Sequence, residues 1–278
     1  MTVLTHDLER DGLGLDGRVA VVTGAAGGIG AEVVAELVRH RAAVALVDRD
    51  GTALEELAAR LRKEAAADPS APEPRLLAVP ADVSDGEEVA AAVERVESEL
   101  GPITHLVNAA GILRPGPVAG LSERDWADTL AVNATGVYLM SRAVAARMAP
   151  RGHGAVVTVT SNAARTARTG MAAYAASKAA AQAFTKCLGL ELAGAGIRCN
   201  VVAPGSTDTP MLTSLWEGED AGRPSIEGAP DAYRVGIPTG RLARPSDVAQ
   251  AVVFLLSERA GHITLQDLTV DGGATLGV

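Results

Sequence analysis

The chain has 278 residues, 47% hydrophobic and 21% charged, a composition that excludes a disordered or fibrous protein and suits one large domain. A formal charge of −9 with no clustered Lys/Arg stripe argues against nucleic acid as a partner, because neutralising phosphates needs such a stripe. No apolar run approaches the ~18–20 residues that cross a bilayer, and the polar opening "MTVLTHDLERDG" lacks a leader pattern; no membrane association is expected, and the cytoplasm is the expected location.

Residues 1–15 read as an N-terminal extension and 16–278 as one domain. Along it, short β-branched runs alternate with helical stretches, which predicts an α/β fold: a single Rossmann-type doubly wound domain, its seven-stranded parallel sheet covered by helices on both faces. The first strand, "RVAVVT" (18–23), runs into "TGAAGGIG" (23–30). Here Gly24, Gly28 and Gly30 let backbone N–H groups approach a pyrophosphate at a positive helix terminus. The spacing departs from GxGxxG, and alone it reads equally as a tight turn.

The second strand, "AVALVD" (43–48), ends on Asp48, where a carboxylate accepts hydrogen bonds from an adenosine ribose and repels a 2′-phosphate. Ala25 and Ala26 occupy the turn in place of a basic residue, so NAD is favoured over NADP, although Arg49 follows directly. A proline-bearing connection, "AAADPSAPEP" (65–74), precedes the third strand, "RLLAVP" (75–80), after which Asp82 and Val83 are placed to border an adenine. The fourth strand, "THLVN" (104–108), leads into "NAAG" (108–111), where Asn108, Ala109 and Gly111 leave the nicotinamide-side ribose room.

The fifth strand, "GAVVTVTS" (154–161), carries Ser161 at its carboxyl end. A helix over 171–194 sets Tyr174 and Lys178 on one face, one turn apart. A phenol of ordinary pKa near ~10 is a poor base at neutral pH, and a nearby ammonium lowers that value. Ser161 is placed to hydrogen-bond a substrate oxygen, and Asn133, in "LAVNATG", to hold a water that relays protons through Lys178. In isolation the YxxxK pair reads as helix-surface decoration. The sixth strand, "IRCNVVA" (197–203), opens into a Pro/Gly-rich region over 205–240 that reads as a substrate lid at the sheet's carboxyl edge, and "LTVD" (268–271) is the seventh strand. Cys187 and Cys199 read as reduced, buried small side chains; the histidines lack ligand spacing, so no metal is expected.

The ordered set TGxxxGxG, NAAG, Asn, Ser, YxxxK and PG resembles the short-chain dehydrogenase/reductase family over nearly the whole chain. The resemblance implies a catalytic tetrad of Asn133, Ser161, Tyr174 and Lys178. It also implies NAD contacts at Ile29 beside the glycines, at Tyr174 and Lys178, and at Pro204, Gly205 and Thr209 of "PGSTDT" (204–209). A homotetramer follows from the same resemblance, with the alanine run of 172–183 allowing close helix packing.

"LVNAAGILRPG" (106–116), "GIPTGRLARP" (236–245) and "HITLQDLTVDGGATLG" (262–277) are similar to the branch of that family that oxidises 2,3-dihydro-2,3-dihydroxybenzoate in siderophore pathways. This implies oxidation of the C3 hydroxyl of a trans cyclohexadiene carboxylate, followed by tautomerisation to 2,3-dihydroxybenzoate. Such a small cyclic hydroxy acid asks for a cation, for which Arg114 and Arg168 are the candidates. Met171 and Met211 are candidate apolar walls. The alternatives are a 2-amino analogue, trans-2,3-dihydro-3-hydroxyanthranilate, as substrate; a 3-oxoacyl reductase using NADPH; and a non-catalytic NAD-binding regulator.

Overall fold

The computed structural model describes residues 12–68, 72–214 and 222–277; residues 1–11 of the predicted extension lie outside them. Seven strands, β1 (Val19–Thr23), β2 (Ala43–Asp48), β3 (Leu76–Pro80), β4 (Ile103–Asn108), β5 (Gly154–Val159), β6 (Ile197–Pro204) and β7 (Asp267–Val270), form one sheet in the order 3-2-1-4-5-6-7. Every pairing is parallel. Strand order reverses between β1 and β4, and in open α/β sheets the crevice at such a reversal, beyond the strands' carboxyl ends, is where ligands bind.

The helices are α1 (Gly28–Arg39), α2 (Gly51–Ala66), α3 (Gly86–Glu99), α4 (Glu123–Leu130), α5 (Gly136–Met148), α6 (Ala172–Leu192), α7 (Pro210–Thr213), α8 (Arg223–Glu227) and α9 (Pro245–Leu256). Strands β1 and β2 are apolar along almost their whole length, and β4 is buried throughout, because both faces are covered. Alternation then splits the core into two layers. Ala20 and Val22 join Val33, Leu37, Leu54 and Val252 on one face; Val19 and Val21 join Val89, Val93, Met140 and Val144 on the other. Leu15 is fully buried in the first layer, so the last residue of the predicted extension is packed as part of the domain.

Helix α6 falls two residues short of the predicted end and passes through a 3-10 turn to Gly196 at φ 71, a left-handed terminator suited to glycine. It buries Tyr174, Ser177, Lys178, Ala181, Thr185 and Gly189. Cys187 falls off that stripe and is exposed, unlike Cys199, which corrects the expectation that both cysteines are buried. The first residues of the predicted 65–74 connection belong to α2. Beyond β6, residues 205–240 contain the short helices α7 and α8 and a tight hairpin bridged at Ala229 and Arg234.

Candidate active site

Ser161 leaves the end of β5 in extended conformation, and its Oγ accepts the Ala163 N–H at 3.1 Å. Tyr174 and Lys178 face it from the first two turns of α6, both buried. Lys178 Nζ lies 5.8 Å from the Tyr174 ring centre and donates to the Val159 carbonyl at 3.1 Å. Asn133 sits in a π-helical turn over Ala131–Thr135 between α4 and α5, a local widening that re-aims a side chain. Its Oδ1 accepts the Ile112 N–H at 2.8 Å, while Nδ2 donates to the Ile112 carbonyl at 2.9 Å and to Ser177 Oγ at 3.0 Å. Ser177 Oγ in turn donates to the Tyr174 carbonyl at 2.7 Å. Asn133 therefore ties the loop after β4 to the turn of α6 that bears Tyr174. A Cβ at Gly111 would stand 3.1 Å from Lys178 Nζ and 3.3 Å from Asn133 Oδ1, so glycine there keeps the lysine's surroundings open.

Burial dominates the acid–base properties of the group. It pushes the Tyr174 phenol above its ordinary value, with a hydrogen bond from Ser161 pulling the other way. It also pushes Lys178 down to about 8, because an ammonium with a backbone carbonyl but, among the described residues, no carboxylate beside it loses more in hydration than it regains. The expected lowering of the phenol by the ammonium is not seen: burial raises it, and only the Ser161 hydrogen bond acts the other way.

A second cleft, of about 450 Å³, lies at the strand-order reversal and is lined by Gly24, Gly28, Gly30, Asp48, Arg49, Asp82, Val83, Ala109 and Gly111. Gly24 adopts φ 66, and a Cβ on it would meet the Ala110 nitrogen at 2.6 Å. Thr23 Oγ1 accepts the N–H groups of Ala109 and Ala110 at 3.1 and 3.2 Å, which locks the two turns together. Helix α1 begins at Gly28 with no side-chain cap and no acidic residue in its first turn, so its leading N–H groups face the cleft without a competing anion. Asp48 accepts the Ala26 N–H at 3.2 Å and the Asp50 N–H at 3.2 Å, which fixes its carboxylate against the glycine turn. Hydrogen bonds from Ser84 hold the Asp82 carboxyl below its ordinary value. These residues fit a dinucleotide: bare helix-end donors for a pyrophosphate and a carboxylate one strand away for a ribose.

Asn108 stands apart from that cleft. The last residue of β4 turns inward, and its Nδ2 donates to Ser141 Oγ at 3.0 Å and Thr158 Oγ1 at 3.3 Å.

The cavity in front of Ser161 and Tyr174 holds about 270 Å³ and is bordered by Ile29, Arg168, Met171, Pro204, Gly205, Thr209 and Met211. Arg114 is not there. It pairs with Asp125 at 3.6 Å on the outer side of α4, half exposed, and Leu113 takes its place on the wall. The expectation of Arg114 as a substrate cation is corrected accordingly: a nearby carboxylate holds it outside.

Residues 24–275 match the family model described as Enoyl-(Acyl carrier protein) reductase. The chain is 49% identical over 265 residues to 2,3-dihydro-2,3-dihydroxybenzoate dehydrogenase of Bacillus subtilis (strain 168), covering 95% of this chain and 98% of the relative. The enzyme of the same name from Escherichia coli (strain K12) is 48% identical over 196 residues, 70% of this chain and 79% of the relative. A solved structure of 3-ketoacyl-(acyl-carrier-protein) reductase from Brucella melitensis complexed with NADH superposes with TM-score 0.82 at 34% identity, over 94% of this chain and 99% of that one. The chain belongs to the short-chain dehydrogenase/reductase family.

Two residues of this short-chain dehydrogenase/reductase escaped the reading of its sequence. Ser177, the link between Asn133 and α6, is one of many small residues in an alanine-rich helix and carries no distinguishing spacing. Arg234 lines the same cavity as Arg168, yet lies in a Pro/Gly-rich stretch with no motif to mark it. A positive charge two residues ahead of "GIP" (236–238) within the predicted lid was the available signal.

Proposed function

We propose that the protein catalyses NAD-dependent oxidation of the C3 hydroxyl of trans-2,3-dihydro-2,3-dihydroxybenzoate, giving 2,3-dihydroxybenzoate, a precursor in siderophore or related pathways. The observation that carries this reading is the meeting of Ser161 and Tyr174 with the guanidinium of Arg168 around one small cavity. Relatives bearing that activity in their names match over almost the full chain. A cavity slightly below the ~300–1,000 Å³ usual for ligand sites suits one ring better than an extended acyl chain, which weighs against a 3-oxoacyl substrate.

In this reading Tyr174 takes the proton of the C3 hydroxyl while Ser161 donates a hydrogen bond to the same oxygen. For this Tyr174 must first give up its own proton, which leaves along a path through Lys178 and water; Lys178, charged at neutral pH, stabilises the resulting phenolate and holds a ribose hydroxyl. Asn133 keeps the Ile112 loop and α6 in register, with one Oδ1 lone pair left for a water on the proton path. The N-terminal amides of α1 hold the pyrophosphate, Asp48 the adenosine ribose, Val83 the adenine, and Pro204, Gly205 and Thr209 the carboxamide side; Ile29 packs between the two halves. NAD, when bound, supplies the acceptor for the C3 hydride. The ketone then tautomerises to the aromatic product, which drives the reaction toward oxidation whatever the poise of the first step.

We further infer that 205–240 acts as a lid, that the chain works in the cytoplasm, and that it forms a homotetramer. Supporting assembly, Leu190 on α6 is 71% exposed, and Tyr138 of α5 meets Phe184 of α6 edge-on at 5.8 Å on the outer surface. Incubating the protein with NAD and the dihydrodiol tests the reaction: NADH and 2,3-dihydroxybenzoate should appear in equal amounts, and NADH without the aromatic acid would refute it.

A further inference from the structure

Arg234 is held by an unusually specified piece of surface chain. Ala229 N–H donates to the Arg234 carbonyl at 2.9 Å and Arg234 N–H to the Ala229 carbonyl at 3.0 Å, closing a short hairpin. Within it Tyr233 adopts φ 55 and is 86% exposed. An aromatic residue seldom takes that left-handed conformation, and such local strain persists only where its surroundings impose it. Gly228 and Gly236 flank the hairpin at φ 95, where added Cβ atoms would come within 2.7 Å of Arg234 O and 2.6 Å of Ile226 O. The outcome is a turn with its tyrosine outward and the next side chain, Arg234, on the cavity wall.

The guanidinium so placed is poorly served by the protein. One Nη reaches Ser206 Oγ at 3.4 Å and Ser225 Oγ at 3.5 Å, long contacts to neutral hydroxyls, and its remaining donors have no side-chain partner among the described residues. Burial first, and then the positive charge of Arg168, hold its pKa below the ordinary value, although a guanidinium stays protonated regardless. Among the described residues no Asp or Glu lines this cavity, in a chain whose net charge is −9. Two partly desolvated cations facing each other without a counter-ion are unfavourable, and an anion between them removes the penalty.

We propose that Arg234 and Arg168 together seat the substrate's carboxylate, which makes the cavity selective for cyclic alcohols bearing an acid group. The proposal rests on the alcohol-oxidation reading above and names the part of the site that sets its substrate class. Arg168 comes from the loop before α6 and Arg234 from the segment after β6, so the acid bridges the catalytic face and the lid. Planar forks on both sides suit a carboxylate better than a point charge does.

Isothermal titration of 2,3-dihydroxybenzoate and of its carboxamide into NADH-saturated protein tests the seat apart from turnover. The wild type should prefer the acid. Arg234→Met should weaken acid binding by roughly 10- to 150-fold, the range for a lost charge-assisted hydrogen bond, with a much smaller change for the amide. Arg234→Lys should fall between, and melting curves identify any variant that fails to fold. Equal losses for acid and amide, or no acid preference in the wild type, would overturn the seat. Acid binding through Arg234 in a protein that forms no NADH from the dihydrodiol would sink the reaction and leave the seat standing; turnover with acid binding unchanged in Arg234→Met would do the reverse.

Discussion

Replacing Lys178 by methionine, which has a similar stem and no charge, should make the protein more stable while abolishing turnover. Burial moves the ammonium from its ordinary 10.5 to about 8, and at about 1.4 kcal/mol per pH unit this amounts to about 3 kcal/mol of preference for the neutral form. Below pH 8 both folded and unfolded chains carry the proton, and the full penalty is present. Between pH 8 and 10.5 the unfolded chain holds the proton more tightly, so stability rises with pH; above 10.5 neither state carries it and the penalty is gone. The lost hydrogen bond to the Val159 carbonyl (3.1 Å) returns about 1 kcal/mol of the gain. Urea unfolding of both proteins at one concentration should therefore show the variant ahead by about 2 kcal/mol at pH 7, with the gap closing or reversing near pH 10. A gap of the same size at both pH values would refute the idea that a desolvated ammonium is its source.

Tyr174→Phe should retain NADH binding, followed by quenching of its fluorescence, yet lose roughly 10²- to 10⁴-fold in kcat; near-native kcat would identify another base. Asp48→Ser should narrow the preference for NAD over NADP, and comparable kcat/KM for the two cofactors in the wild type would contradict the role given to that carboxylate. Light scattering at micromolar concentration should report four chains, and a monomer would remove the assembly inference.

Local features were legible in the sequence. Strand limits fell within one or two residues because parallel strands covered on both faces are continuous apolar runs, as in Ala43–Asp48. The glycine turn and Asp48 were readable because their positions are set by adjacent strands, and the Tyr174–Lys178 pair because helical periodicity alone places it. Features that depend on distant chain were not. Arg114 follows "NAAG" as the expected substrate cation does, but Asp125 of α4 draws it outward. Arg234 reaches the cavity only because the hairpin at Ala229 turns it there. Asn108 shares a motif with cleft residues, but its position at the end of β4 points it at Ser141 and Thr158. The dominance of burial in raising the Tyr174 phenol, against the expected lowering by Lys178, likewise needs the packed surroundings, which spacing cannot supply.

The central claim is the identity of the oxidised alcohol, and the most direct measurement offers trans-2,3-dihydro-2,3-dihydroxybenzoate and trans-2,3-dihydro-3-hydroxyanthranilate side by side to the purified protein with NAD. NADH formation and the aromatic product are followed for each, and kcat/KM compared. The dihydroxy acid should be preferred, with 2,3-dihydroxybenzoate as its product. A higher kcat/KM for the amino compound, or no turnover of either, would contradict the account.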